Sequence, residues 1–308
     1  MAQAVLSAVS NEYVKISSEG RRFLISAKFF CNEFDKIVTK TACGFSWGII
    51  PCDKEGLDFF RRAWYTDEEY IMAVEWVDTN VTLGEYEVLE DMLIDGLKIV
   101  QDTRLYRFTS DSVLLSKFAR AKKNDVVADF CAGSGIVAFH FYALNRQNLR
   151  DLRFTLFEMQ EELSALSRKT AAINGFDNFT FVQGKLQDIP KEYHEKFSLV
   201  LCNPPYESGG FDNDEYCKAV CRKEITINLK EIAKAASYAL KFGGRLCMLH
   251  RADRLAEVCY TLREVNLEVK KVQFVGGRYG SKPYLIMVEA VKGGKPHTEI
   301  LETIYNVK

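Results

Sequence analysis

Asp125-Val-Val-Ala-Asp129-Phe-Cys-Ala-Gly133-Ser-Gly135-Ile-Val-Ala-Phe-His140 is the stretch that decides the fold of this chain. An apolar run ending in an acid breaks into a glycine turn and resumes as a second apolar run compatible with a helix. The order is strand, turn, helix, in which glycines let backbone approach a ligand and the helix start offers N–H groups free to donate to it. By itself a glycine pair at this spacing is a weak signal. Two absences sharpen it. Val137 and Ala138 occupy the region where a dinucleotide fingerprint carries its third glycine, and the turn has no lysine of the kind that a phosphate-binding loop supplies. Both point to a nucleotide-type ligand without a pyrophosphate.

Downstream the same alternation continues. Strands are predicted at 126–130, 154–158, 179–182, 197–202 and 245–249, with helices at 135–146, 160–173, 226–240 and 252–264. Further strands near 268–275 and 284–290, separated by a Gly-Arg break, predict a terminal hairpin with one antiparallel strand. Upstream, Leu97–Gln101 and Tyr106–Phe108 read as extended, as a hairpin across the mouth of the site, and Thr109-Ser110-Asp111 reads as the cap of a helix over 112–121. Alternating strands and helices imply an α/β, Rossmann-like fold around a mostly parallel sheet, with ligands at the strands' carboxyl ends. Asp129, Glu158, Asp188 and Asn203 all fall at such ends. Glu158 stands where a carboxylate accepts both hydroxyls of a ribose, and Asp188 where an acid receives an adenine amino group. S-adenosylmethionine, a nucleoside without a pyrophosphate, fits this set.

The fourth end carries Asn203-Pro204-Pro205-Tyr206, directly after the apolar run Phe197–Cys202. A planar amine conjugated to a ring or carbonyl is a poor nucleophile. Held with its hydrogens on two acceptors, its lone pair localises and can attack a methyl group. The Asn203 side-chain oxygen and the Pro204 carbonyl can be those acceptors, two prolines with φ fixed at about −65° keep them aimed, and Tyr206 can stack on the planar group.

The 308 residues, 47% hydrophobic and 27% charged, leave room for one large domain and a smaller one. No apolar run reaches the roughly 18 residues of a membrane span. The start, Met1-Ala-Gln-Ala-Val-Leu-Ser7, lacks the features of a signal peptide, so a cytoplasmic protein is expected. Nine scattered cysteines without a C-x2-C pair suggest reduced thiols and no metal site. Residues 1–80, rich in aromatics and without a catalytic pattern, read as a small α+β accessory domain, residues 81–95 as a linker, and 96–308 as the catalytic domain. Residues 1–95 carry 9 basic against 17 acidic side chains, whereas 96–308 is net +7, so a polyanion would have to be held by the later part.

From Gly96 onward the chain resembles the bacterial tRNA(Val) adenine-N6 methyltransferase family. The resemblance rests on Phe108-Thr-Ser-Asp111-Ser-Val-Leu-Leu115, Asp129–Gly135, Asn203–Tyr206, Arg222-Lys-Glu224, His250-Arg-Ala-Asp-Arg254-Leu255 and Gly293-Gly-Lys-Pro296. It implies a class I methyltransferase in which Asp129, Gly133, Gly135, Glu158 and Asp188 hold S-adenosylmethionine. Asp111 is an additional candidate, with a wholly structural role as a helix cap as the favoured alternative. Asn203, Pro204, Pro205 and Tyr206 would hold an adenine taken out of the anticodon loop of a tRNA. Arg222, Arg251, Arg254 and Arg278 are candidate phosphate contacts, each with a solvated or ion-paired arginine as the alternative. Asn-Pro-Pro-Tyr is shared with glutamine methyltransferases acting on release factors, which leaves a protein glutamine as the alternative acceptor. A catalytically silent RNA-binding protein is the third reading, and the intact site residues argue against it.

Overall fold

In the computed structural model, the residues described are 5–8, 14–18, 21–24, 59–63, 74–78, 81–105, 107–108, 110–149, 151–205 and 227–306, the first five spans as backbone only. The chain divides into two compact units, one comprising Met1–Gly84 with Ala172–Gly175, the other Glu85–Ala171 and Phe176–Lys308. In the first unit, β1 (Val5–Ala8), β2 (Val14–Ser18) and β3 (Arg21–Leu24) form one antiparallel sheet, and β4 (Phe59–Ala63) pairs with β5 (Val74–Asp78) in another.

The second unit opens with β6 (Glu87–Asp91) and β7 (Lys98–Asp102), an antiparallel pair. The extended stretch predicted at Leu97–Gln101 is therefore present, but its partner is 87–91 in place of the residues around 106. Next come α1 (Ser110–Phe118), β8 (Val126–Phe130), α2 (Ile136–Asn145), β9 (Arg153–Glu158), α3 (Glu161–Ile173), β10 (Phe179–Gln183) and β11 (Phe197–Cys202). After these follow α4 (Leu229–Ala239), β12 (Leu240–Arg251), α5 (Leu255–Glu264), β13 (Leu267–Gly276), β14 (Pro283–Lys292) and β15 (Glu299–Tyr305). Eight strands form one sheet in the order β10-β9-β8-β11-β12-β14-β13-β15. Pairing is parallel from β10 to β12, antiparallel on both sides of β14, and parallel again between β13 and β15. This is an α/β Rossmann-like sheet in which β14 alone runs antiparallel. It lies between β12 and β13, so the antiparallel strand is internal and not terminal as expected, and β15 adds a further parallel strand at the edge.

The run Phe197–Cys202 is buried at every position, as a central strand covered on both faces requires. Its neighbours contribute to apolar layers on either side. Phe130, Phe157, Val200, Ile232, Ala236 and Val258 lie in one; Val127, Phe139, Leu156, Leu199 and Leu201 lie in the other. At the amino-terminal ends of the strands, Arg245 meets Asp125 at 2.8 Å with both side chains buried, and Ser198 donates to the same carboxylate at 2.6 Å. This buried pair lies at the opposite ends of the strands from the candidate residues.

Local chemistry sets several boundaries. Asn228 and Glu231 form a reciprocal capping box, so α4 starts at Leu229 and not at the predicted 226. A 3-10 turn over Ala252–Arg254 takes the first residues of the helix predicted at 252. Helix α1 begins at Ser110, which moves Asp111 from the cap position into the first turn. Strands β6 and β15 are additions to the sequence reading. None of the described helices is long and apolar enough to cross a membrane.

Candidate active site

Register brings the candidate residues together. Phe130 pairs with Phe157 on one side and with Cys202 on the other, so Asp129, Glu158 and Asn203 stand at the carboxyl ends of three adjacent strands. Glu158 is itself opposite Gln183 of β10, just before the glycine and turn that lead to Asp188.

Asp129 is 1% exposed. Its Oδ2 accepts from the Ala138 N–H at 3.1 Å, which satisfies one of the free donors at the start of α2. Its Oδ1 is buried with no hydrogen-bond partner among the described residues. Burial pushes the carboxyl up to about 8, against the opposing pull of the Ala138 N–H, with a smaller upward push from Glu158. An acceptor that is buried and unmatched costs free energy unless something binds it.

The glycine turn carries the two conformations for which glycine is suited, Gly133 with φ +57 and Gly135 with φ +86. Around Gly133 a side chain would meet open space, so its backbone is left uncovered. At Gly135 a Cβ would lie 2.4 Å from the Phe139 ring and 2.9 Å from Leu156, so this glycine lets α2 pack onto β9. The Gly133 N–H donates to Glu158 Oε2 at 2.8 Å, and Gln160 N–H donates to Oε1 at 2.9 Å. Burial raises the Glu158 pKa, and the Gln160, Gly133 and Met159 N–H groups oppose that rise. The turn is fixed from the other side by Gln101, fully buried on β7. Its Nε2 donates to Ser134 Oγ at 2.6 Å, while its Oε1 accepts from the Phe108 N–H at 3.1 Å.

At the carboxyl end of β11, Asn203 Nδ2 donates to Ser112 Oγ at 3.0 Å. Ser112 lies in the first turn of α1 and is 2% exposed. The amide is thereby turned so that Oδ1 faces away from the serine, buried and with no partner among the described residues. Pro204 and Pro205 are buried, while Tyr206 and Arg222 lie outside the described residues.

The remaining candidates are placed less centrally. Asp188 is exposed in a short 3-10 turn after β10. Asp111 Oδ1 accepts from Tyr284 Oη at 3.0 Å and from Asn306 Nδ2 at 3.3 Å, which ties α1 to β14 and to the end of β15. Arg251 is paired with Asp253 through both Nε and Nη2, and Arg254 with Glu257 at 2.7 Å through two nitrogens. Their positive charge is answered locally. Arg278 is exposed in the β13–β14 turn, with no ion pair among the described residues. His250 at the end of β12 is held neutral, because burial pushes it down to about 4.

Sequence reasoning missed Gln101 and Ser112. The only signal for Ser112 was its spacing: it shares a buried helical face with Leu115 and Ser116.

Two unmatched buried oxygens, a glycine turn with open backbone and the Glu158 carboxylate form one row across the carboxyl ends of β9, β8 and β11. A nucleoside-bearing methyl donor fits the Asp129–Gly135 and Glu158 part of this row, and a planar amine fits the Asn203 part. A family model described as "Methyltransferase domain" matches residues 121–300. The chain is 22% identical over 181 residues to a tRNA1(Val) (adenine(37)-N6)-methyltransferase of Shewanella sediminis, covering 57% of this chain and 72% of that one. It is 24% identical over 160 residues to an enzyme of the same name from Porphyromonas gingivalis, covering 49% of this chain and 61% of the relative. Among solved structures, a predicted O-methyltransferase from Agrobacterium tumefaciens matches with a TM-score of 0.50 at 18% identity, over 63% of this chain and 86% of that one.

Proposed function

The chain belongs to the methyltransferase-domain family, and from that premise we propose that it moves a methyl group from S-adenosylmethionine to the exocyclic N6 of an adenine in tRNA, the one beside the anticodon. The donor is S-adenosylmethionine, which supplies a methyl carbon on a positively charged sulfur that is already a good leaving group. Asp129, Gly133, Gly135 and Glu158 would hold it: Glu158 against the ribose, the open Gly133 backbone beneath it, and Asp129 with its spare oxygen.

The observation that carries the acceptor half is the Asn203 amide, whose Nδ2 is taken by Ser112 and whose Oδ1 is left as an unmatched acceptor. An adenine amine donating one hydrogen to Oδ1 and the other to the Pro204 carbonyl loses conjugation with its ring, and its lone pair turns towards the methyl. The nitrogen gains the methyl carbon as the carbon–sulfur bond breaks, and it then releases one proton to solvent, so no strong base is needed. The residues act by position, and fixing the reacting atoms in line is worth several kcal/mol of barrier. An acceptor aligned before substrate arrives also spends nothing on reorganisation during the reaction. The names of the relatives from Shewanella and Porphyromonas support adenine as the acceptor.

Incubation with labelled S-adenosylmethionine and total tRNA, then mass spectrometry of the nucleosides, tests this. N6-methyladenosine is expected in the parent and absent from the Asn203→Ala variant. Label confined to glutamine of a release factor would replace the RNA reading with the protein one.

A further inference from the structure

The turn between β13 and β14 lies on the same edge of the sheet as Asn203, because the start of β14 runs beside the end of β12, with Leu285 opposite Arg251. It is a closed turn. Ser281 N–H and Oγ both donate to the Arg278 carbonyl, at 3.0 and 2.7 Å, and Gly280 takes φ +74. Closed in this way, it projects Arg278, Tyr279 and Lys282 outward, with Tyr279 89% exposed. The Tyr279 ring leans on that of Tyr305, with centroids 5.4 Å apart. Tyr305 is fixed in turn: it is opposite Gly276 in the β13–β15 pairing, and a Cβ on that glycine would lie 3.1 Å from the Tyr305 ring. The ring therefore rests on bare backbone.

Two properties distinguish this corner from an ordinary exposed aromatic. Neither Arg278 nor Lys282 has an ion pair among the described residues, whereas Arg251 and Arg254 nearby are matched by Asp253 and Glu257. The corner is also joined to the acceptor through one helical turn: Tyr284 is bonded to Asp111, and the next residue, Ser112, holds Asn203. A braced aromatic face flanked by unmatched cations suits a nucleotide, whose base stacks while its phosphate takes the charge.

We propose that Tyr279, backed by Tyr305 and flanked by Arg278 and Lys282, is a stacking platform for a nucleotide that flanks the methylated adenine. The proposal rests on the RNA reading of the acceptor site and goes beyond it by locating where the neighbouring strand lies.

The test is binding of a fluorescein-labelled RNA hairpin with adenine in its loop to the full chain, by anisotropy across a salt series, with cofactor affinity measured separately by calorimetry. Tyr279→Ala is expected to weaken RNA binding about 5- to 160-fold, the range for a lost base–aromatic stack. Tyr279→Phe keeps the face and should stay within about twofold, as replacing a stacked ring by a ring retains the stack. Arg278→Ala and Lys282→Ala should each lower the slope of log affinity against log salt by about 0.7, the value for one single-stranded phosphate. S-adenosylmethionine affinity should be unchanged in all four variants. Parent-like RNA affinity for Tyr279→Ala, with the parent methylating RNA, overturns the platform and leaves the RNA reading standing. A parent chain that binds no RNA overturns both.

Discussion

Replacing Ser112 with alanine removes the hydrogen-bond partner that the Asn203 amide has among the described residues and leaves every other candidate residue in place. A buried donor deprived of its acceptor loses about 1 to 3 kcal/mol. Ser112 is 2% exposed, so water has no ready access to replace its hydroxyl. If that energy holds the amide with Oδ1 towards the amine, kcat should fall by about 5- to 160-fold at 1.36 kcal/mol per tenfold. The affinity for S-adenosylmethionine should not move, because the glycine turn and Glu158 are untouched. Ser112→Thr keeps the oxygen and should recover most of the rate. The assay is single-turnover methylation of tRNA by the parent, Ser112→Ala, Asn203→Ala and the double variant. Ser112 is expected to act only through Asn203, so the double variant should be no slower than Asn203→Ala alone. An equal and additive loss in the Asn203→Ala background would refute the coupling, as would an undiminished kcat in the single variant.

Asn203→Ala itself should abolish most turnover while calorimetry shows S-adenosylmethionine binding close to that of the parent; a matching loss of cofactor affinity would place Asn203 in the other half of the site. Gly135→Ala puts a Cβ 2.4 Å from Phe139 on a backbone at φ +86, and should destabilise well beyond the roughly 1 to 2 kcal/mol of left-handed strain alone. Gly133→Ala, in open space at φ +57, should show the strain alone; comparable melting temperatures for the two variants would contradict the packing argument. Asp129 has a folded pKa of about 8, raised by burial above an unfolded value near 3.9, so its contribution to stability is full below about pH 4 and lost as pH rises through 8. The ligand-free parent should therefore lose melting temperature between about pH 4 and 8 more than Asp129→Asn does and level off above 8, and parallel pH profiles would count against a buried, unmatched carboxyl.

Much of this architecture could be read from local signals. The runs 126–130 and 197–202 are short and mostly apolar, each with one polar residue, Asp129 or Ser198, and each is followed within three residues by glycine or proline. Both match the observed strands to the residue, because a strand covered on both faces is a continuous apolar run that a turn residue ends sharply. Edge elements were harder. Strand β15, Glu-Ile-Leu-Glu-Thr-Ile-Tyr, has no fully buried position and mixes charges into its alternation, and β6 lies within an acid-rich stretch that reads as a connection. For the site, Asp129, Glu158 and Asn203 were legible because their place at strand ends is a property of the chain order. The functional detail was not, since which amide atom is spoken for depends on a serine 91 residues away in sequence. The arginines illustrate the reverse case. Arg251 and Arg254 stand two and three residues before an acid, and those local pairs formed, whereas Arg278 has no such acid close behind it.

Asn306 donates to Ser110 across 196 residues of chain, and to Asp111 beside it, while Ser112 in the same turn steadies the acceptor amide. Contacts so far apart in sequence form late, because a long loop must close before they gain anything. During refolding the parallel strands and the glycine turn can assemble from neighbouring segments, and the cofactor half of the site with them. The acceptor half waits for the far edge strand to dock and clamp the first turn of α1. Recovery of cofactor binding should thus precede recovery of methyl transfer, with a lag set by the arrival of β15 and not by the sheet's centre.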